Sequence, residues 1–339
     1  MRAGQPRADR ARFLIPTDLI SGIGSATWLF SAPSVPSISG RGQTRIHPLQ
    51  PIMDTSLWLA HKRRAVSHPV DGADFLMNRA AEDLADRLGA VERRFGKAAV
   101  LFCQTSAAAD VLAASGKVAD IVRVEADTAF LTGGGAGLIA PFETVPFEPE
   151  SLDLAVSLLS MQAMNDIPGM LIQIRRALRP DGLFLGAFAG AGTLFELRES
   201  LLAAETELYG GASPRVIPFT DVRDAGALLQ RAALALPVAD VETVTVRYAN
   251  LFALMADLRA MGETSALTDR SRRPGARQLF ARAAEIYAER FSDADGRVRA
   301  SFSIVWMSGW APDASQQKPL KPGSAKVSLK TILEAPDGQ

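Results

Sequence analysis

The chain has 339 residues, is 47% hydrophobic, and sets 37 Lys and Arg against 37 Asp and Glu. That length and apolar content suffice for one large buried core, while the charge balance argues against a nucleic-acid binder, which carries a basic excess. The lone cysteine, Cys103, excludes an intrachain disulfide and a cysteine-cluster metal site, and no apolar run approaches the roughly 20 residues of a membrane-spanning helix.

Residues 1–52 differ from the rest. They hold six arginines, only Asp9 and Asp18 as acids, and many Ser, Pro and Gly. Such a segment reads as a mitochondrial-type transit peptide, or as a disordered segment or an extension upstream of a true start at Met53. The second reading is preferred, because ordered-looking sequence begins directly after Met53. From Asp71 the spacing of Phe75, Leu84, Leu88 and Val91 predicts a helix, with Asp71 or Asp74 as cap. A buried strand is predicted to start at Val100 to Phe102 and a second strand to run from Ala119 to Val124, with a helix over 107–114 between them. "LTGGGAGLIAPFETVPF" reads as a loop with a short third strand. "LDLAVSLLS" (152–160) is near-continuously apolar, the mark of a strand covered on both faces.

Asp166 then caps a helix over "DIPGMLIQIRRAL", and "RPDG" at 179–182 forms a turn in which Pro180 fixes φ and Gly182 takes a positive φ. "LFLGAFA" (183–189) is the next strand, followed by an amphipathic helix over 193–208 that starts at a Thr193 cap. Two late strands, 241–248 and 302–310, surround helices near 250–260 and 276–291, after a further helix near 218–233. This order predicts one doubly wound α/β domain with a helical insertion before its last strand. The predicted organisation is an extension (1–52), an amino-terminal helical lid (53–95), the α/β domain (96–311, inserted at about 249–292), and a polar tail (312–339).

In an open parallel sheet, ligands bind beyond the carboxyl ends of the strands at the switch point in strand order. Three segments meet there: the turn at 103–107, the end of the second strand at "VEAD", and the segment Leu159–Ser160–Met161. Glu125 stands about 20 residues past the first turn, where an acid reads ribose hydroxyls. An ordinary solvated carboxylate is the alternative, and Asp127 is the neighbour that could take the role. Cys103 has no evident activator and reads as a small buried hydrophobe. Gly133–Gly135 lacks a following GKS or GKT and reads as a loop. The three histidines, His47, His61 and His68, all precede residue 69. The main domain therefore has no histidine base or ligand unless the amino-terminal segment folds over it.

"SLDLAVSLLSMQAMNDIPGMLIQIRRALRPDGLFLGAF" resembles the core of class I S-adenosyl-L-methionine-dependent methyltransferases. "GTLFELRESLLAAETELYGGASPRVIPFTDVRDAGALLQRAAL", "LMADLRAMGE" and "SGWAPDASQQKPLKPGSAKVSL" resemble the complex I assembly factor 5 group, which is similar to the malonyl-acyl-carrier-protein O-methyltransferases. "MDTSLWLAHKRRAVSH" (53–68) resembles that group's amino-terminal start. The resemblance covers roughly Met53 to Leu333. It implies a mostly parallel, seven-stranded Rossmann-like sheet and S-adenosyl-L-methionine as cofactor.

The resemblance also implies site residues. Cys103, Gln104 and Thr105 take the cofactor turn, Glu125 the ribose acid, and Leu159 and Ser160 the cofactor-lining segment. Gln162 stands where many relatives have His. Glu196, Arg198, Glu205, Gly210, Gly211, Ser213 and Pro214 match a pattern expected above the cofactor, on the substrate side. One departure stands out: the family's first strand ends in an acid and a Gly-x-Gly turn, whereas "VLFCQTSAA" has neither. Glycines there let backbone approach the cofactor.

The resemblance implies methyl transfer to a protein or carrier-bound substrate, such as an acyl carrier protein. Two other readings stand beside it. One is a non-catalytic assembly factor for respiratory complex I, acting through a complex I subunit. The other is a protein-arginine hydroxylase, as for eukaryotic relatives, although His and Cys are too few here for an iron ligand set. Four of the seven lysines, Lys318, Lys321, Lys326 and Lys330, fall in an acid-free stretch of the tail and would suit an acidic partner. The compartment is the bacterial cytoplasm, or the mitochondrial matrix if residues 1–52 are a transit peptide.

Overall fold

A computed structural model describes residues 50–133, 136–271 and 276–317. The tail lysines, His47 and Gly134–Gly135 lie outside the described residues. Two helices, α1 (Thr55–Ser67) and α2 (Phe75–Gly89), lead into β1 (Phe95–Leu101), α3 (Ala107–Ala114) and β2 (Val118–Glu125). After β3 (Ala136–Ile139) come β4 (Leu152–Leu158), α4 (Ile167–Ala177), β5 (Leu178–Ala189) and α5 (Phe195–Tyr209). The chain continues through α6 (Val222–Arg231), β6 (Ala235–Tyr248), α7 (Leu251–Ala260), α8 (Arg277–Phe291) and β7 (Val298–Trp310).

The seven strands form one sheet in the order β3-β2-β1-β4-β5-β7-β6. Strands β1 to β5 pair in parallel, and β7 runs antiparallel to both β5 and β6. This is the doubly wound sheet the resemblance implies. Alternation along the strands sorts their side chains between two cores. Ala99 and Leu101 of β1 join one, with Val305 and Met307 of β7. Ala98 and Val100 join the other, with Ile304 and Trp306. The progression of strand order across the sheet reverses between the parallel neighbours β1 and β4, so the crevice at the carboxyl ends of these two strands is the ligand-binding position of the fold. A third core packs α5, α7 and α8 on the first half of β7, through Leu197, Leu254, Tyr287 and Phe302.

Most predicted elements appear, and local chemistry explains several boundaries. Asp166 accepts from Gly169 N–H at 2.7 Å and caps α4, with Pro168 in the first turn. Gly210 closes α5 at φ +71°. Three expectations fail. Thr193 does not cap α5: its hydroxyl donates to the carbonyl of Ser303 and accepts from that residue's N–H, pinning the chain to β7. Asp74 precedes α2 but makes no side-chain capping bond. In "RPDG" the positive φ falls on Asp181, at +62°, and not on Gly182, so the segment is an irregular start to β5 and no free turn. Strand β6 also begins earlier than predicted, at Ala235, because it pairs along the length of β7.

Candidate functional site

The turn after β1 has the backbone of a glycine-rich turn built without glycine. Phe102 and Gln104 sit at φ +55° and +58°, where an L-residue costs roughly 1–2 kcal/mol. Bonds to both neighbouring strands hold it. Phe102 N–H donates to the Val124 carbonyl of β2 at 2.8 Å. Leu158 N–H of β4 donates to Cys103 Sγ at 3.2 Å. Gln104 N–H donates to Glu125 Oε1 at 2.9 Å, and its side-chain amide turns back onto the Phe102 carbonyl. Burial, then the charge of Glu125, pushes the Cys103 thiol up to about 12, so it stays protonated and packs as a hydrophobe.

Glu125 ends β2 but is fully buried. Burial raises its carboxyl from 4.5 to about 8, against the opposing pull of Arg123 and of the Gln104 N–H. Arg123, two residues back on the same face of β2, is itself 3% exposed. Its guanidinium donates to the carbonyls of Phe130 and Thr132 and lies 3.6 Å from Glu125 Oε1. Glu125 Oε2 and Arg123 Nε have no partner among the described residues. An orphaned, buried carboxyl oxygen beneath the turn is a hydrogen-bonding group that a ribose hydroxyl would satisfy. Asp127 is committed elsewhere: it caps Ala129 N–H at 2.9 Å and pairs with Arg63 of α1 at 3.0 Å.

Above the turn lies a cavity of about 480 Å³. Cys103, Gln104, Thr105 and Ser106 form its floor, Thr132 and Leu159 one side, and the α1–α2 connection its roof. Glu125 and Ser160 are not among its lining residues. Glu125 sits under Gln104, and Ser160 is buried with its hydroxyl 3.1 Å from that of Ser157. Against it lies a second cavity of about 640 Å³, and Leu76, Leu159, Met261 and Glu263 line both.

The expected substrate residues divide. Gln162 lines the larger cavity, its amide donating to the Leu159 carbonyl at 2.8 Å. The 211–219 stretch supplies Pro214, Arg215 and Ile217. Glu196, Arg198, Glu205 and Ser213 line neither cavity. Glu196 is buried and accepts from Ser301 N–H and Oγ–H, tying α5 to β7. Arg198 is exposed. Burial works against the charge of Glu205, but the Arg215 guanidinium and the Ser213 N–H hold its carboxyl below the usual range. The pair thereby positions Arg215 at the cavity edge.

Other lining residues come from segments distant in sequence. Helix α1 packs against α7, and its Trp58 is 1% exposed. Lys62 Nζ meets Glu263 Oε1 at 2.6 Å and donates to the Met261 carbonyl, while Trp58 Nε1–H donates to Glu263 Oε2 at 3.4 Å. Asp54 N–H donates to the Ala266 carbonyl, and Met53 bridges Leu267. The segments "MDTSLWLAHKRRAVSH" and "LMADLRAMGE" thus meet on the wall between the cavities. Their pairing left no local signal in the sequence. His61 is brought onto the domain, 3.1 Å from the Thr264 carbonyl, and burial holds its imidazole below the ordinary range; it lines neither cavity. Among the described residues no group of three metal-ligating side chains converges, and no helix is long and apolar enough to cross a membrane.

A family model described as a methyltransferase domain matches residues 102–186. The human protein named arginine-hydroxylase NDUFAF5, mitochondrial, is 37% identical over 301 residues, which is 86% of each chain. Its namesake in Dictyostelium discoideum is 43% identical over 186 residues, 55% of this chain and 42% of that protein, so the match spans under half of that relative's length. A malonyl-[acyl-carrier protein] O-methyltransferase of Xylella fastidiosa is 36% identical over 169 residues, 50% of this chain and 55% of that one.

Proposed function

Since this chain belongs to the NDUFAF5 family, which carries the methyltransferase domain, we propose that it binds S-adenosyl-L-methionine over the 103–106 turn and methylates an acceptor held in the adjoining larger cavity. One observation carries the reading: two cavities of cofactor and substrate size share a wall at the carboxyl ends of the strands. The cofactor supplies an already activated methyl group, so the protein's task is alignment and exclusion of water. Thr105 and Leu159 contact it, and Glu125, once Gln104 moves aside, accepts from its ribose. Leu159 and Glu263 form the boundary across which the acceptor approaches. Gln162 contributes from the acceptor side.

The acceptor is a protein or a carrier-bound group. The Xylella fastidiosa relative's name favours an acyl carrier protein, and the resemblance to complex I assembly factors favours a respiratory complex I subunit. The relatives named mitochondrial favour the matrix if residues 1–52 act as a transit peptide, and the bacterial cytoplasm otherwise. A second reading has its own support. Gln104 lies between the cavity and Glu125, as expected of an assembly factor that keeps the fold and has lost the cofactor. The arginine-hydroxylase reading rests on the relatives' names.

Calorimetric titration of S-adenosyl-L-methionine into the full chain, beside Glu125→Gln, decides between them. Micromolar binding weakened by the substitution supports the enzyme. A folded chain that binds nothing at millimolar cofactor would sink it in favour of the assembly-factor reading.

A further inference from the structure

The larger cavity combines an apolar wall with an excess of positive charge. Leu197 and Leu201 of α5, Phe252 and Met255 of α7, Phe280 of α8 and Phe302 of β7 make the wall. Among its described lining residues the charged groups are Arg215, Arg259 and Arg270 against Glu263 alone. Glu263 is already answered by Lys62 at 2.6 Å. Arg215 and Arg270 are answered from outside the cavity, by Glu205 at 2.7 Å and Asp54 at 3.5 Å. Arg259 is exposed, and its guanidinium has no hydrogen bond or ion pair with any described residue. It lines the larger cavity only, two positions before Met261, which lines both.

An apolar chamber edged by a guanidinium unanswered among the described residues selects a ligand with a hydrocarbon body and an anionic end. A guanidinium receives a carboxylate through two parallel N–H donors. A cationic end would face three arginines and a glutamate already neutralised. We infer that the cavity takes an aliphatic carboxylate, its chain along the α5, α7 and α8 wall and its carboxylate on Arg259. The volume of about 640 Å³ is within the range of small-molecule sites. The acceptor role of this ligand rests on the proposed function; its binding does not.

The test titrates decanoate and decylammonium below their micellar concentrations, and decanol below its solubility limit, into the full chain and into Arg259→Gln and Arg259→Glu. Arg259 is exposed and its guanidinium is unpaired among the described residues, so both variants should keep the thermal midpoint of the parent. Decanoate is expected to bind at least about ten-fold more tightly than either other probe. Arg259→Gln should reduce that preference, and Arg259→Glu should abolish it. Decylammonium binding as tightly as decanoate, decanoate affinity unmoved in both variants, or no saturable decanoate binding overturns the inference. S-adenosyl-L-methionine titrated into the same preparations reports on the smaller cavity. A failure confined to decanoate therefore leaves the cofactor reading standing, and the reverse holds equally.

Discussion

Glu125 and Gln104 decide what the cofactor turn can do. In the unfolded chain Glu125 titrates near 4.5, and in the fold near 8. The folded state therefore holds a proton that the unfolded state has released across this window. Stability contributed by the neutral carboxyl is complete below pH 4.5 and falls as pH rises toward 8. Glu125→Gln should remove this slope: little change at pH 4, and a relative gain on the order of a few kcal/mol at pH 8.5. Chemical denaturation of both proteins at the two pH values reads it directly; parallel stability curves would exclude a neutral Glu125. Gln104→Gly tests the turn. Relief of the left-handed backbone offsets the lost amide bond and the extra freedom of the unfolded chain, so stability should change by less than about 1 kcal/mol. With the Gln104 side chain gone from the cavity lining, affinity for S-adenosyl-L-methionine should rise several-fold. An unchanged or weaker affinity would show that Gln104 is a contact and no obstruction. The sequence shows that glycine is missing here, but not that the backbone keeps the glycine conformation.

At the scale of elements, the site depends on α1 lying against the loop after α7. Gly262 makes this contact possible: it sits at φ +74°, and a Cβ there would come within 3.0 Å of the His61 carbonyl and 3.1 Å of Lys62 Cα. Gly262→Ala should cost about 1–3 kcal/mol and loosen α1, seen as faster amide exchange over residues 55–67 with exchange in β4 and β5 little changed. Uniform acceleration would mean that α1 is no separable unit. The helix α5 was expected to present Glu196 and Glu205 to substrate. Instead their carboxylates join α5 to β7 and to the 211–219 stretch. Glu196→Ala should accordingly lower the melting temperature, by about 1–3 kcal/mol in stability for the orphaned Ser301 groups, while leaving cofactor affinity as it was. A selective loss of affinity would return Glu196 to the site. Strand and helix positions were legible because period-2 and period-3.6 patterns are local. The fate of Thr193 was not, since its partner is 110 residues away.

For the whole molecule, the two cavities exist only because α1, α7 and the ends of β1 and β4 close on one another. Trp58 is the side chain most committed to that closure: it is buried, lines the larger cavity and stacks near Phe142 at 5.0 Å between ring centroids. Trp58→Ala should cost about 3–5 kcal/mol. It should also weaken decanoate more than S-adenosyl-L-methionine, because Trp58 faces the larger cavity alone. Equal losses in calorimetry would mean that the cavities fail together.

By itself the sequence determined the strand and helix order, the apolar strands buried on both faces, and the anomalous first turn, because each is written in neighbouring residues. It also held the segments of family resemblance. Tertiary structure alone decided that Glu125 lies buried beneath Gln104 beside Arg123, that Glu196 and Glu205 are ties, and that Lys62, Trp58 and Glu263 share one wall. Those outcomes depend on which distant groups approach and how much water they lose, and burial and long-range pairing leave no periodic trace along a chain.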